Sequence, residues 1–203
     1  LGYRSVLAKY DTNGQLVKEY PIRNEHGGAS ISGFCESRNH EIIISVWNGR
    51  VYHLDKEKDE FIPYPDKMRS RNPTVMVQDN EQDYFWLATW GDGVVRFDPS
   101  APGDSMFVYS EIPVNAAGEE DGLILSLAQD DKLGYIWLTT GHDFMALQIQ
   151  PDRTLKQLKF PAGLLPVNHM LVEVLKGKEC LWVSAFDRPS FILHLMDNIT
   201  KDY

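Results

Sequence analysis

Apolar residues in this chain come in short bursts bounded by turn residues, and nowhere do they recur at the 3.6-residue interval of a helix. Ile42-Ile43-Ile44 is one burst. Val94-Val95-Arg96-Phe97 is another, opened by Gly91-Asp92-Gly93 and stopped by Asp98-Pro99. This pattern predicts strands over 74–78, 84–90, 93–98 and 105–110. It predicts two more at Val6–Asp11 and Leu16–Tyr20, joined by a turn at Asn13-Gly14.

The bursts repeat. Val75-Met76-Val77-Gln78-Asp79 followed by Tyr84-Phe85-Trp86-Leu87-Ala88-Thr89 falls, at a shift of 51, on Ser126–Asp130 followed by Tyr135–Thr140. A shift of 43 in the other direction places it on Ser32–Glu36 and Glu41–Val46, and Trp47 and Val51 then match Trp90 and Val94. A fourth copy centres on Leu181-Trp182-Val183. The anchors Ile43, Trp86, Trp137 and Trp182 are thus 43, 51 and 45 apart. Each copy resolves into four short strands, and a sheet that small cannot bury both of its faces alone. Copies packed side by side around an axis can, with the anchor Trp between adjacent sheets. The fold expected is therefore all-β, a β-propeller of four-stranded blades.

The units expected are a half blade at 1–27, holding only third and fourth strands, and blades at 28–69, 70–118, 119–165 and 166–203. In the last, a third strand is expected at Phe191–Leu195 and a fourth at Ile199–Tyr203. With no strands left to complete the opening half blade, the ring reads as a partial one of about four and a half blades, and the chain as a piece of something longer.

Composition narrows the functions. Aromatics make up 11% of the 203 residues, which suits packed sheets. Net charge is −9 with acids and bases interspersed, so a nucleic-acid face is not expected. The densest basic group, Lys67, Arg69 and Arg71, reads as a solvated loop. No apolar run approaches the ~20 residues of a membrane helix. Cys35 and Cys180 fall on different blades, so neither a mutual disulfide nor a cysteine-based zinc cluster is expected.

The segments "SLAQDDKLGYIWLTT" and "YFWLATWGDGVVRFDPS" resemble the two-component-regulator propeller repeat: an aromatic, a Trp, a short β run with Thr, a Gly-rich turn and an Arg-aromatic-Asp-Pro ending. The resemblance is strong over 70–150 and looser at both ends. It departs at Ile43, at His142-Asp143-Phe144 and at Phe186-Asp187-Arg188-Pro189. It implies the periplasmic sensor of a Bacteroides-type hybrid two-component protein, with a kinase and regulator beyond a membrane helix elsewhere in the protein. Such sensors recognise glycan-derived oligosaccharides and control genes for their use.

In a propeller, the turns between second and third strands share a face with the connections between blades. The first set here is Trp47-Asn48, Trp90-Gly91-Asp92, Gly141-His142-Asp143 and Phe186-Asp187-Arg188. The second includes Arg23–His26, Lys67–Arg71, Asn115–Asp121 and Asn168-His169. Aromatic platforms beside carboxylates and Arg suit a sugar, whose apolar ring face stacks while its hydroxyls hydrogen-bond. Trp47, Trp90, Asp92, His142 and Arg188 are the candidate ligand-binding residues. Equally, Trp47 and Trp90 occupy equivalent positions that packing alone would explain.

No catalytic set is expected. The six histidines lack HExxH spacing, no Gly-x-Ser-x-Gly elbow is present, and the glycines head turns, not helices. The acids Glu119-Glu120-Asp121 and Asp130-Asp131 read as solvated turn charges. No metal or cofactor is expected. The function expected is thus a non-enzymatic sensor module, sensing or transmitting oligosaccharide binding through a homodimer and the remainder of the protein, with any membrane contact made elsewhere in it. The alternatives are an architectural or dimerising propeller with the ligand bound elsewhere, and a propeller enzyme resembling the streptogramin lyases, with His142 or His169 recruited.

Overall fold

The computed structural model describes residues 6–22, 30–47, 50–69, 72–115, 117–130, 132–141 and 143–158, and the backbone of three further strands within 167–194. Among the described residues everything regular is strand, apart from one 3-10 turn at Gly103–Ser105. A two-stranded sheet pairs β1 (Val6–Tyr10) with β2 (Leu16–Pro21). Three four-stranded antiparallel sheets follow, each a meander in chain order. They are β3 (Ile31–Glu36) to β6 (Glu60–Pro63) through β4 (Ile42–Val46) and β5 (Arg50–Asp55). Next come β7 (Pro73–Gln78), β8 (Phe85–Thr89), β9 (Val94–Phe97) and β10 (Phe107–Tyr109). The third is β11 (Ile124–Asp130), β12 (Tyr135–Thr140), β13 (Phe144–Ile149) and β14 (Leu155–Leu158). A last sheet joins β15 (Val167–Leu175), β16 (Lys178–Ala185) and β17 (Phe191–His194). The first strands β3, β7, β11 and β15 lie side by side, as the innermost strands of successive blades. The strand expected at Ile199–Tyr203 lies outside the described residues.

The sheets stack through separate cores, and the strand period decides which side chain enters which. Successive residues point to opposite faces. Tyr20 and Ile22 of the two-stranded sheet therefore meet Ile44, Val46 and Tyr52, while Ile43 and Val51 face the other way toward Phe85, Leu87, Val95 and Phe97. Trp86, Ala88 and Val94 turn in their turn toward Ile124, Ile136, Leu138 and Leu147. The anchors Ile43, Trp86 and Trp137 are all fully buried.

The repeated Gln-Asp pair explains the rest of the repeat. Asp79 ends β7, and its Oδ2 accepts the Trp86 indole N–H at 2.8 Å across the turn, while Oδ1 accepts the backbone N–H groups of Glu81 and Gln82. Asp130 does the same for Trp137, at 3.1 Å, and for the N–H groups of Lys132 and Leu133. Both aspartates are fully buried, so Asp130 corrects the expectation of solvated turn acids. A buried carboxylate is tolerable only when its lone pairs are met by donors, and here the indole and the turn amides meet them. Glutamine, one residue earlier, reaches the preceding blade. Gln78 Oε1 accepts the Arg38 N–H at 2.7 Å, and Gln129 Nε2 donates to Asp79 Oδ2 at 3.3 Å.

The first four-stranded sheet departs instructively. Glu36 pairs with Ile42 as Gln78 pairs with Phe85, so Glu36 stands where Gln78 does and Ser37 where Asp79 does. The shift of 43 holds for the second strand but becomes 42 on the first, because the intervening turn is one residue shorter. The ungapped alignment of Ser32–Glu36 with Val75–Asp79 is therefore corrected by one position. The substitution is paired: with Ile43 replacing Trp there is no indole N–H to receive, and Ser37 Oγ needs only the Glu41 N–H, at 3.0 Å.

Beside its apolar core, the two-stranded sheet is also held to its neighbour by a polar contact. Asp59, held at a left-handed φ of 52° in the turn between β5 and β6, accepts Tyr20 Oη–H at 2.7 Å and Lys18 Nζ–H at 2.8 Å. The Lys18 ammonium and then the Tyr20 hydroxyl hold its carboxyl below the usual carboxylate range. A depressed folded pKa contributes stability above the unfolded value near ~4, lost as pH falls through the folded one. Amide protection factors, corrected for the intrinsic exchange rate at each pH, are thus expected to fall selectively in β1 and β2 on acidification below pH ~4, and in Asp59→Asn at neutral pH. A uniform fall in protection across all sheets would show that Asp59 does not hold this contact.

Candidate functional site

The site grows from the ends of the second strands. Trp47 follows β4 and Trp90 follows β8, and each is tied by its backbone N–H to the residue ahead of its own innermost strand. Trp47 donates to Ser30 O and Trp90 to Asn72 O, both at 2.8 Å. Equivalent anchoring in neighbouring blades brings the two indoles together: their centroids are 5.0 Å apart and the rings nearly perpendicular, at 88°. This edge-to-face pairing suits the ring quadrupoles. Packing between the two positions was foreseen as the bland explanation, yet it does not bury the pair. Trp90 remains 43% exposed, whereas Trp86 and Trp137 are fully buried.

Asp92 sits in the turn behind Trp90. Thr89 at the end of β8 shapes that turn, its hydroxyl donating to Gly93 O at 2.8 Å and accepting the Asp92 N–H at 3.1 Å. Thr140 repeats the device, accepting the Asp143 N–H at 2.9 Å. Thr140 Oγ–H also donates to Asp121, a second buried acid that sequence placed in solvent. Gly91, at φ 120°, lets the Trp90 turn approach the next connection, where its N–H donates to Gly122 O at 2.8 Å.

Arg69 is the residue that sequence reasoning passed over. It lies in the connection read as a solvated loop, but its backbone N–H donates to the Tyr109 hydroxyl, and its guanidinium stacks on the Tyr109 ring at 4.1 Å. That places Nη2 3.7 Å from Asp92 Oδ1. The signals in the chain were the basic group and its place in an inter-blade connection; Tyr109 is 40 residues away on an outer strand. The structure therefore brings Trp47, Trp90 and Asp92 to one face together with Arg69. Asn168-His169, expected in a connection, instead falls within β15, at an irregularity in its pairing with β16. His142 and Arg188 lie outside the described residues. Cys35 is a free thiol in β3, and Cys180 belongs to β16 of another sheet. Among the described residues no helix is long and apolar enough to cross a membrane, and no cluster of His, Cys, Asp and Glu could hold a metal ion.

The arrangement offers an aromatic wall, a carboxylate and a guanidinium on an open surface. These can stack on an apolar ring face and hydrogen-bond polar groups around it.

No protein-family model and no curated protein sequence matches the chain. Solved structures do. Virginiamycin B lyase of Staphylococcus aureus superposes with a TM-score of 0.63 at 15% identity, over 93% of this chain and 62% of the lyase. The Dos1 propeller gives 0.64 at 10% identity, over 95% of this chain and 47% of that one. The extracellular domain of a candidate hybrid two-component system of B. thetaiotaomicron gives 0.57 at 14%, over 86% of this chain and 23% of that one. The chain thus spans less than two thirds of each of these structures. At such identities the likeness is one of fold, and the resemblance to two-component sensors holds at that level. What the repeats, the sheets and the neighbours establish together is that this chain is a run of β-propeller blades.

Proposed function

We propose that this segment is the extracytoplasmic, periplasmic sensor module of a hybrid two-component histidine kinase and response regulator, and that it senses an oligosaccharide or transmits its binding. The observation that carries this reading is the Trp47–Trp90 pair, which leaves an indole exposed beside Asp92 and Arg69 where buried packing alone would have covered it. The fold-level likeness to an extracellular domain of a candidate hybrid two-component system supports it. The segment binds without turnover. Signalling follows if the ligand favours one of two arrangements of a homodimer by a difference in affinity, which the rest of the protein relays across the membrane.

The test is a thermal-shift screen of the chain against plant, host and microbial oligosaccharides, since a ligand of the folded state raises the melting temperature with concentration over its Kd. A hit is expected to weaken roughly 30-fold in Trp90→Ala, in line with the ~2 kcal/mol of a central aromatic contact. The melting temperature without ligand should barely move, because the ring is half exposed. Undiminished binding in Trp90→Ala and Trp47→Ala would place the ligand elsewhere and favour an architectural role for this face. Conversion of a bound saccharide to product would favour an enzyme.

A further inference from the structure

We propose that the ligand of the Trp47–Trp90 face is an acidic saccharide, its carboxylate or sulfate taken by Arg69; this rests on the reading of that face as a saccharide site. Arg69 is positioned in three ways at once. Its backbone N–H is fixed by the Tyr109 hydroxyl, its guanidinium carbon lies over the Tyr109 ring at 4.1 Å from the centroid, and Nη2 faces Asp92. An arginine serving only as solvated surface would need none of these, and holding a long side chain still costs rotamer entropy.

The pair with Asp92 leaves the fork available. At 3.7 Å the closest N···O separation exceeds hydrogen-bonding distance, so Asp92 supplies attraction without occupying the guanidinium N–H groups. The side chain is 70% exposed, so those groups are open to a ligand. A planar guanidinium matches a carboxylate or sulfate with two parallel hydrogen bonds, which a lone lysine cannot reproduce. The cation–π contact with Tyr109 restrains the guanidinium before the ligand arrives, which lowers the ordering cost of binding.

Charge makes the assignment selective. The chain carries net −9, so an anionic saccharide is repelled by most of its surface and needs a local cation to be held. Arg69 supplies one, facing Asp92, which follows the half-exposed Trp90 by two residues in the same turn. The site then divides its tasks. The indoles take the apolar ring face, Asp92 accepts hydroxyl protons, and Arg69 takes the acid.

The experiment compares matched saccharides by calorimetry on the chain: oligogalacturonate against its fully methyl-esterified form, and a sulfated chondroitin disaccharide against the unsulfated one. These are measured with wild type, Arg69→Gln, Arg69→Lys and Trp90→Ala, each checked for folding by circular dichroism. One acidic member is expected to bind and to weaken with added salt. Arg69→Gln should weaken it about 10- to 100-fold, Arg69→Lys should recover part of the loss, and Trp90→Ala should weaken acidic and neutral binding alike, by roughly 30-fold. Which acid binds separates carboxylate from sulfate. Equal binding of neutral and acidic partners, insensitive to Arg69→Gln but weakened by Trp90→Ala, would overturn the acidic assignment and leave the saccharide site standing. Binding of no acidic saccharide, or binding untouched by either variant, would overturn the acidic assignment; insensitivity to Trp90→Ala would remove the saccharide reading of this face as well.

Discussion

Replacing Trp86 by alanine is expected to destabilise the chain by about 3–5 kcal/mol, the cost of truncating a fully buried large aromatic. The indole fills the core between the second and third four-stranded sheets, meeting Tyr84 edge-on at 5.2 Å and lying among Ile136, Leu138 and Leu147. Its N–H also satisfies an acceptor of Asp79, which is fully buried. Trp86→Phe isolates that second role: it keeps most of the volume and takes one donor from a buried carboxylate, for about 1–3 kcal/mol. The first four-stranded sheet shows how the two roles are coupled, since there Ile43 and Ser37 replace the pair together. Asp79→Ser combined with Trp86→Ile should therefore cost less than the sum of the two single changes, by roughly 0.5–3 kcal/mol in a double-mutant cycle from urea unfolding. Strict additivity would mean that the indole–carboxylate bond contributes nothing beyond its parts.

Gly122→Ala is expected to damage both stability and the candidate site. A Cβ there would stand 2.5 Å from Gly91 O and 2.7 Å from Gly91 C, with Ile112 Cγ2 at 3.2 Å on another side. Backbone cannot yield as a side-chain tip can. The two strands of chain already approach so closely because Gly91 N–H bonds Gly122 O. Relief requires moving the turn that carries Trp90 and Asp92, at about 1–3 kcal/mol for overpacking of this kind. Calorimetric melting should register the loss, and any saccharide bound at Trp90 should weaken in parallel. An unchanged melting temperature with unchanged binding would show that the contact relaxes without disturbing the turn.

Much of this architecture was legible in the residues because the repeat is a matter of spacing. Trp86 and Trp137 stand 51 apart in β8 and β12, and both turn toward the following sheet. What each repeated letter does was not legible. The Gln-Asp pair was plain at 78–79 and 129–130, but that Asp folds onto the Trp seven residues later depends on antiparallel register and turn length. One deleted residue at Ser37 changes the match on the first strand while leaving the second in step. The site was half legible. Equivalent positions predicted that Trp47 and Trp90 share a face; that their rings touch, and that one stays exposed, depends on side-chain geometry. Arg69 was misread because its partner Tyr109 is brought to it only by the path of the sheet. Asp121 and Asp130 were misread because acids in a turn look solvated whichever way their carboxyl groups point.

The separate cores between successive sheets have a consequence for how the chain comes apart. Among the described residues the sheets meet chiefly their neighbours, so the free energy of the array is close to a sum of sheet terms and nearest-neighbour contacts, as in a one-dimensional lattice. Cooperativity then extends only as far as the seams are strong relative to the sheets they join. The seam holding Trp86 is dense and includes the Gln129–Asp79 bond, whereas the two-stranded sheet is joined by a smaller core and the exposed Asp59 contacts. Opening should accordingly begin at the two-stranded sheet, whose seam is the smaller, so that hydrogen exchange resolves a gradient of local stabilities along the array where a single global value would otherwise be assumed.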